Sequence, residues 1–313
     1  MGLTVGVDVG GSKIAGGVVD EAGKIIARSR RVTPPTDPAG IVDRIVAVAR
    51  ELALDHEVTA IGVGSAGFVD AGRSAVLFAP NLALRDVPVR DRVTAATGLP
   101  TVVENDANAA AWGEFRFGAA EDVDDMVCVT VGTGIGGGLV LAGALYRGAH
   151  GIAAELGHMR VVPGGHLCGC GNLGCLEQYA SGSALVREAR TAARTRPDLA
   201  ARLLELAGGQ AGAVTGPMVT AAAREGDPLA IELLSGLGTW LGEALASFTA
   251  LFDPAAFVIG GGVSEAAGLL IEPAVAALHA NLIGRGHRAA PDVRVATLGN
   301  DAGIVGAADL ART

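Results

Sequence analysis

The most constraining feature of this chain is a pattern that it uses twice. LTVGVDV (Leu3–Val9), rich in β-branched residues, runs into Gly10 and Gly11, and IAGGVVD (Ile14–Asp20) follows directly. MVCVTVGTGIGGGLVLAG (Met126–Gly143) repeats the order of apolar run, glycine turn, apolar run and turn. Val7-Asp8-Val9-Gly10 overlays on Val129-Thr130-Val131-Gly132. β-Branched runs bounded by glycine read as strands joined by a tight turn. The repetition predicts two α/β domains, each contributing a glycine-turned hairpin to one cleft.

The rest of the chain reads in the same terms. Ile41–Ala53 has apolar residues at three- and four-residue spacing, which predicts a helix. Val58–Gly64 reads as a strand, Leu99–Asp106 contains another, and Ala107–Phe115 is helical in composition. Ser183–Leu206 carries mixed charge and predicts one or two surface helices. Pro228–Leu251 is long and mostly apolar, as a buried helix is, and should stop at Asp253-Pro254. Phe257–Val263 is a strand running into glycines and then a helical stretch, and Asp301–Ala311 predicts a last helix that returns to the first domain.

Composition narrows the function. A length of 313 residues suits one large domain or two medium ones. A net charge of −9 without basic runs does not suit nucleic acid, whose binding depends on neutralising phosphates. No uninterrupted apolar run reaches the ~18 residues of a membrane span. The start has no signal-peptide pattern, and Gly6 stands where a myristoylation motif requires Ser or Thr. The expectation is a cytoplasmic protein without nucleic-acid or membrane partners. Aromatic residues are 4% of the chain, so its core must be built of Ala, Val, Leu and Ile. The 47 glycines cluster in short runs, which points to turns where backbone approaches something closely.

Three constellations carry chemistry. In DVGGSK (Asp8–Lys13), glycines between strands let backbone N–H groups face an anion, with Ser12 and Lys13 adding a hydroxyl and a charge. GxxxxGK[ST] is absent, so this is not a P-loop. VGTGIGGG (Val131–Gly138) is a second such turn, with Thr133 matching Ser12, and two phosphate-type turns suggest a nucleotide held between two domains. IGGGVSE (Ile259–Glu265) is a third glycine segment, suited to a base or ribose. In VVENDANAAAW, Asp106 follows a strand and begins a helix, a position for an N-cap or for a general base.

The third constellation is HMRVVPGGHLCGCGNLGC, which holds three of the four cysteines. Cys168, Cys170 and Cys175 with one histidine match a closed, four-coordinate zinc site. His158 and His166 compete for the fourth place, and spacing does not choose between them. Four protein ligands make the metal structural. Pinned in this way, the segment fixes Glu155, His158 and Glu177 relative to one another, as a polyhydroxylated ligand requires.

With DVGGSK, ENDANAAAWGEF, VGTGIGGG, ELGHM, CGCGNLGCLEQYAS and IGGGV in this order, the chain resembles the ROK family of sugar kinases and repressors over essentially its whole length. It looks most like the members that phosphorylate glucose. The resemblance implies an actin-like/hexokinase-like ATPase fold, two α/β domains around an interdomain cleft. Residues 1–110 with 301–313 would form a small domain and 111–300 a large one. Asp8, Gly10, Gly11, Ser12 and Lys13 would contact ATP phosphates, as would Gly132, Thr133 and Gly134. Gly261 and Gly262, in the glycine turn 260–262, would lie by the adenosine. Asp106 maps to the catalytic base, and Asn105, Glu155, His158 and Glu177 to sugar-contacting positions. Gly64 and Asn81 fall where the small domain reaches the sugar. His158, Cys168, Cys170 and Cys175 map to the zinc ligands.

The implied reaction is direct transfer of the γ-phosphoryl group of ATP, with Mg²⁺, to the primary hydroxyl of glucose, giving glucose 6-phosphate. The resemblance also implies a homodimer or homotetramer. Within the family the alternatives are an N-acetylhexosamine acceptor and, in a different class, a sugar-responsive transcriptional regulator. Those regulators carry an N-terminal helix-turn-helix segment, whereas the first strand here is expected at Leu3. A cytoskeletal actin-like ATPase would leave the cysteine segment and its flanking carboxylates unexplained.

Overall fold

The first hairpin forms where the β-branched runs place it. In the computed structural model, which describes residues 2–79, 81–262 and 267–312, β1 (Leu3–Val9) and β2 (Lys13–Val19) pair antiparallel from Thr4↔Val19 to Val9↔Ile14. β3 (Ile25–Val32) pairs antiparallel with β2. The chain then passes through α1 (Pro38–Leu54) to β4 (Val58–Ser65), which lies parallel to β1. Three short strands, β5 (Phe68–Val69), β6 (Val76–Phe78) and β7 (Arg85–Val87), and α2 (Val89–Thr97) lead to β8 (Thr101–Asn105), parallel to β4. The sheet order is β3-β2-β1-β4-β8.

α3 (Asp106–Phe117) leads to the second hairpin, β9 (Met126–Val131) and β10 (Ile135–Leu141), which β11 (Ala144–Tyr146) extends. A helical excursion follows: α4 (Glu177–Ala180), α5 (Gly182–Thr195), α6 (Ala201–Leu206), α7 (Gly216–Arg224) and α8 (Pro228–Phe252). β12 (Ala256–Gly260), α9 (Ala267–Asn281), β13 (Asp292–Val295) and α10 (Ala302–Leu310) complete the chain. The second sheet has the order β11-β10-β9-β12-β13. Each sheet therefore places its own strands in the order third, second, first, fourth, fifth, and each has its glycine turn between the first and second strands. The repeat in the sequence is a repeat of topology.

Contacts divide the chain into two compact units, Met1–Val129 with Gly137–Glu155 and Ala296–Thr313, and Thr130–Gly136 with Leu156–Val295. The expected boundary at residue 110 falls inside α3.

In the first unit the period-two alternation of β1 sends Val5, Val7 and Val9 into a core with Ile41, Ile45 and Val48 of α1. Gly6 and Asp8 point to the other face, which α10 covers. A Cβ on Gly6 would lie 1.9 Å from the Ile304 carbonyl oxygen, and one on Gly62 1.7 Å from that of Ala307. The helix thus rests directly on strand backbone. α10 is also tied to α3, where the Trp112 indole N–H donates to Asp309 at 2.8 Å. The buried Glu114 carboxylate accepts from the backbone N–H groups of Thr297 and Leu298 at 3.0 and 2.8 Å.

In the second unit α8 packs along α9, with Gly238 and Gly242 facing α9 backbone. By length and composition α8 could cross a membrane, but 56% of its most apolar window is buried inside the protein, as in a core helix.

Candidate active site and metal centre

Three parallel strands of the first unit end together. Asp8, near the end of β1, pairs in register with Gly64 of β4, and Ser65 pairs with Asn105, the last residue of β8. In open α/β sheets ligands bind beyond these carboxyl ends. Asn105 is the N-cap of α3: its Oδ1 accepts from the Asn108 N–H at 3.0 Å, while its Nδ2 donates to the Gly67 carbonyl at 3.0 Å. Capping therefore falls to Asn105, and Asp106 becomes the first residue of the helix. Its Oδ1 accepts from the Ala107 N–H at 2.9 Å, and burial pushes its carboxyl above the usual carboxylate range. The Asp8 carboxyl is pushed up to about 6, first by burial and then by the charge of Asp106, against the opposing pull of Lys13. Gly303 leaves room here, since its Cβ would stand 3.3 Å from Asp8 Cγ.

The first glycine turn is closed by the Gly10 N–H donating to the Lys13 carbonyl at 3.0 Å. Thr33 of the neighbouring chain clamps it, with Oγ1 donating to the Gly10 carbonyl at 2.7 Å and its N–H to that of Ser12 at 3.2 Å. Gly11 and Ser12 are exposed at the tip. Asn81 is exposed and follows Pro80, which lies outside the described residues.

Sequence reasoning passed over Glu104. Its side chain is 1% exposed and forms ion pairs with Arg147 at 2.7 Å and Arg73 at 3.2 Å. Its Oε1 accepts from the Asn105 N–H at 2.9 Å and from Asn108 Nδ2 at 3.1 Å. This buried network holds the β8–α3 junction from below. A glutamate immediately before Asn-Asp in an apolar strand was the available signal.

In the second unit, the second glycine turn lies against the start of α5. The Gly182 N–H donates to the Gly132 carbonyl at 2.8 Å, and Gly132 and Gly134 close the turn at 2.9 Å. Glu177, at the start of α4, reaches the same turn: its Oε2 accepts from the Ile135 N–H at 3.2 Å, and a Cβ on Gly134 would collide with it. On its other side, Glu177 Oε1 lies 3.6 Å from Cys168 Sγ. Glu155 is half-buried at the end of the first unit, preceded by Ala154 in a left-handed conformation, φ 69°.

The ligand atoms of His158, Cys168, Cys170 and Cys175 all lie within 4.8 Å of one another. Cys170 and Cys175 Sγ are 3.6 Å apart, as are Cys168 Sγ and His158 Nδ1. A tetrahedral ion with Zn–S bonds of about 2.3 Å requires thiolates about 3.8 Å apart, so the set fits zinc. A disulfide, at about 2.05 Å, is not formed. Without a cation such crowding opposes ionisation: burial and then the neighbouring Cys170 and Cys168 push the Cys175 thiol up to about 12. The structure brings His158 to the thiols. His166 instead packs its ring on Tyr179, with centroids 5.4 Å apart, and its backbone N–H donates to the Tyr179 hydroxyl. The segment is shaped by backbone, since Gly174, at φ 82°, would place a Cβ 1.6 Å from the Val162 carbonyl oxygen.

A cavity of about 840 Å³ opens beside the second glycine turn, with Gly132, Thr133 and Gly262 on its wall. Gly261 packs on the strand leading to that turn, where a Cβ would stand 2.4 Å from the Val131 carbonyl oxygen. Val263, Ser264 and Glu265, which complete the third glycine segment, lie outside the described residues. The far wall was not anticipated. Arg187, Arg190 and Arg194 of α5 line it, with Arg224 at the end of α7. The i, i+3, i+7 spacing of the three arginines was visible in the sequence.

Two sheets of one topology, each with a glycine turn, define a two-domain α/β fold of the actin-like/hexokinase-like ATPase class. The family model of the ROK family matches residues 4–313, and the chain belongs to that family. It is 49% identical over 312 residues to a glucokinase of Streptomyces coelicolor, covering 100% of this chain and 98% of that one. It is 52% identical to a ROK glucokinase from Streptomyces griseus, solved in complex with glucose and AMPPNP, with a TM-score of 0.91 and 99% of each chain covered. An N-acetylmannosamine kinase of Yersinia pseudotuberculosis is 34% identical over 317 residues, covering 100% of this chain and 99% of that one.

Proposed function

We propose that this protein transfers the γ-phosphoryl group of ATP to the 6-hydroxyl of glucose, with Asp106 as general base. The observation that carries the reading is the condition of Asp106. It stands at the strand ends, is released from capping by Asn105, and is raised by burial toward the pH at which a carboxylate accepts a proton effectively. The full-length similarity to a glucokinase and to a structure holding glucose and AMPPNP supports both substrates.

In this reading Asp106 Oδ1 is held by the Ala107 N–H, and the second oxygen takes the proton of the attacking hydroxyl. Asn105, Gly64, Asn81, Glu155, His158 and Glu177 grip the remaining hydroxyls. The turns Gly10–Lys13 and Gly132–Gly134 cradle the phosphates. The adenosine lies in the arginine-lined cavity beside Gly261 and Gly262, where a guanidinium plane stacks well on a purine. Positioning and charge stabilisation then supply most of the rate. Asp8 is the residue that would hold Mg²⁺, which would supply neutralising charge to the phosphates. His158 and the three thiolates would hold zinc, which would supply rigidity to the segment that carries Glu177.

The reading extends to a cytoplasmic homodimer or homotetramer, whose size sedimentation would test. A coupled assay with ATP and a panel of sugars tests the acceptor, and glucose is expected to give the highest kcat/KM. The similarity to an N-acetylmannosamine kinase makes that sugar the comparison to include. A higher kcat/KM for it would overturn the acceptor assignment and leave phosphoryl transfer standing.

A further inference from the structure

A second cavity, of about 520 Å³, lies within the second unit on the adjoining face of α5, and Leu185 and Arg187 border both cavities. Its chemistry differs from that of its neighbour. Trp240 and Tyr179 pack against each other with centroids 4.9 Å apart and planes tilted by 42°, and His166 continues the row at 5.4 Å from Tyr179. The chain has two tryptophans and two tyrosines, so an aromatic wall here is a concentration of a scarce resource. Facing it is a polar rim whose charges cancel: Arg196 pairs with Glu232 at 3.2 Å and Arg187 with Glu188 at 3.1 Å, and the Thr191 and Thr195 hydroxyls lie between.

The two cavities therefore select different ligands. The arginine-lined wall of the first cavity favours an anion. Paired charges offer no net field, but they supply donors and acceptors together, which suits a neutral ligand rich in hydroxyls. The negative faces of aromatic rings attract the weakly positive C–H edges of such a ligand.

Gly236 is the independent observation. It lies inside α8 on the wall of this cavity, is exposed, and a Cβ there would meet nothing within 4 Å. Gly238 and Gly242 of the same helix are required by packing, their Cβ positions being 2.5 and 2.1 Å from carbonyl oxygens of α9. No such neighbour requires Gly236, although glycine inside a helix is less stable than alanine. A helix that keeps glycine at a cavity wall leaves its backbone open to close approach from the cavity.

From the aromatic wall, the cancelled charges and the open glycine, we infer that this cavity is a second, non-catalytic carbohydrate site. It takes a neutral sugar ring stacked on Trp240 and Tyr179, with hydroxyls bonded by Glu188, Thr191, Arg196 and Glu232. Tyr179 belongs to α4, the helix that begins with Glu177, so the occupant leans on the element carrying a proposed substrate contact. The second site itself does not depend on the reading of the active site, whereas the expected count of two glucose molecules rests on it.

Calorimetric titration with glucose of the full-length wild type, Gly236→Leu and Asn105→Ala tests it. A Cβ at 236 meets nothing within 4 Å and leucine is the better helix former, so the Tm of Gly236→Leu should equal or exceed that of the wild type. The expected result is two glucose molecules per chain in the wild type and one in each variant. Equal stoichiometry in the wild type and Gly236→Leu would overturn the proposal. So would a changed sedimentation coefficient in Gly236→Leu with glucose binding intact, which would assign the cavity to a contact between chains. If Gly236→Leu loses a site and Asn105→Ala keeps both, the second site stands and the sugar-contacting role of Asn105 falls.

Discussion

Asp106 raises the Asp8 carboxyl: after burial, its charge is the largest force holding Asp8 at about 6. The two side chains stand at the ends of β8 and β1, separated in register by β4. Two carboxylates brought together at buried strand ends oppose folding unless a cation or a proton intervenes. Lys13 offsets part of this repulsion. The sheet therefore stores an electrostatic cost at the place where a phosphate-bound cation and a hydroxyl proton would relieve it.

That cost has a sign and a pH window. The folded Asp8 carboxyl at about 6 lies above its unfolded value near 3.8, so the folded state holds its proton more tightly. Its contribution to stability is whole below 3.8 and is lost as pH rises through 6. The loss amounts to roughly 3 kcal/mol at about 1.4 kcal/mol per pH unit. Asp8→Asn removes the titration. Without nucleotide or metal, the variant should unfold at higher urea than the wild type at pH 8, and the difference should shrink toward zero at pH 3.5. A gain that does not vary with pH would mean that Asp8 is not strained by its charge.

Asp106→Ala should fold, because the cap of α3 belongs to Asn105 and the side chain removed is costly to bury when charged. Loss of a general base costs on the order of 10²–10⁴-fold in kcat. The affinity for ATP should be unchanged by calorimetry. Turnover within a few-fold of wild type would remove Asp106 from the base role.

The outline of the fold was legible in the sequence where the period was long enough to read. β1, β2, α1, β4, α8 and α10 stand within a few residues of the runs that predicted them, and both copies of the repeated pattern form hairpins with a glycine turn. β5, β6 and β7, at two or three residues each, carry no period. The glycines were half understood. Those at the turns were expected, but Gly6 and Gly62 inside strands serve the direct seating of α10, a contact made across nearly the whole chain. The thiol cluster was legible because its ligands are close in sequence. The ion pairs of Glu104 were not, because Arg73 and Arg147 come from distant loops and nothing local marks them as partners. The arginines of α5 read as a charged surface because a sequence shows spacing and not the cavity in front of it.

Cys170 is the thiol to remove when testing the metal. It is exposed, whereas Cys168 and Cys175 are buried, so Cys170→Ser opens no cavity in the core. Metal content measured on the purified variant should fall from one zinc per chain to near zero. Glu177 lies between the thiols and the second glycine turn, so a loosened segment should misplace it. A displacement of about 1 Å at a positioning group costs on the order of 10²-fold, and the loss should appear in kcat/KM for glucose. Full glucose affinity in a zinc-free variant would show that the ion does not organise the site.

Arg147 tests whether the network beneath the site positions it. It pairs with Glu104 at 2.7 Å and donates to the carbonyls of Asp70 and Ala71 at 2.9 Å, with its side chain 12% exposed. Arg147→Met leaves a buried carboxylate with Arg73 alone, and breaking a buried pair costs about 3 kcal/mol. That loss should be read in urea unfolding. The damage should also reach catalysis, because Glu104 Oε1 holds the Asn105 N–H and the Asn108 amide at the first turn of α3. The glucose KM should rise while the KM for ATP stays near its wild-type value, since the arginine-lined cavity draws on none of these residues. Arg147→Lys should recover stability in part and glucose KM less, because a point charge replaces the ion pair but not the fork that ties Glu104 to two carbonyls. If Arg147→Met loses stability and keeps its glucose KM, the network supports the fold without aligning the site.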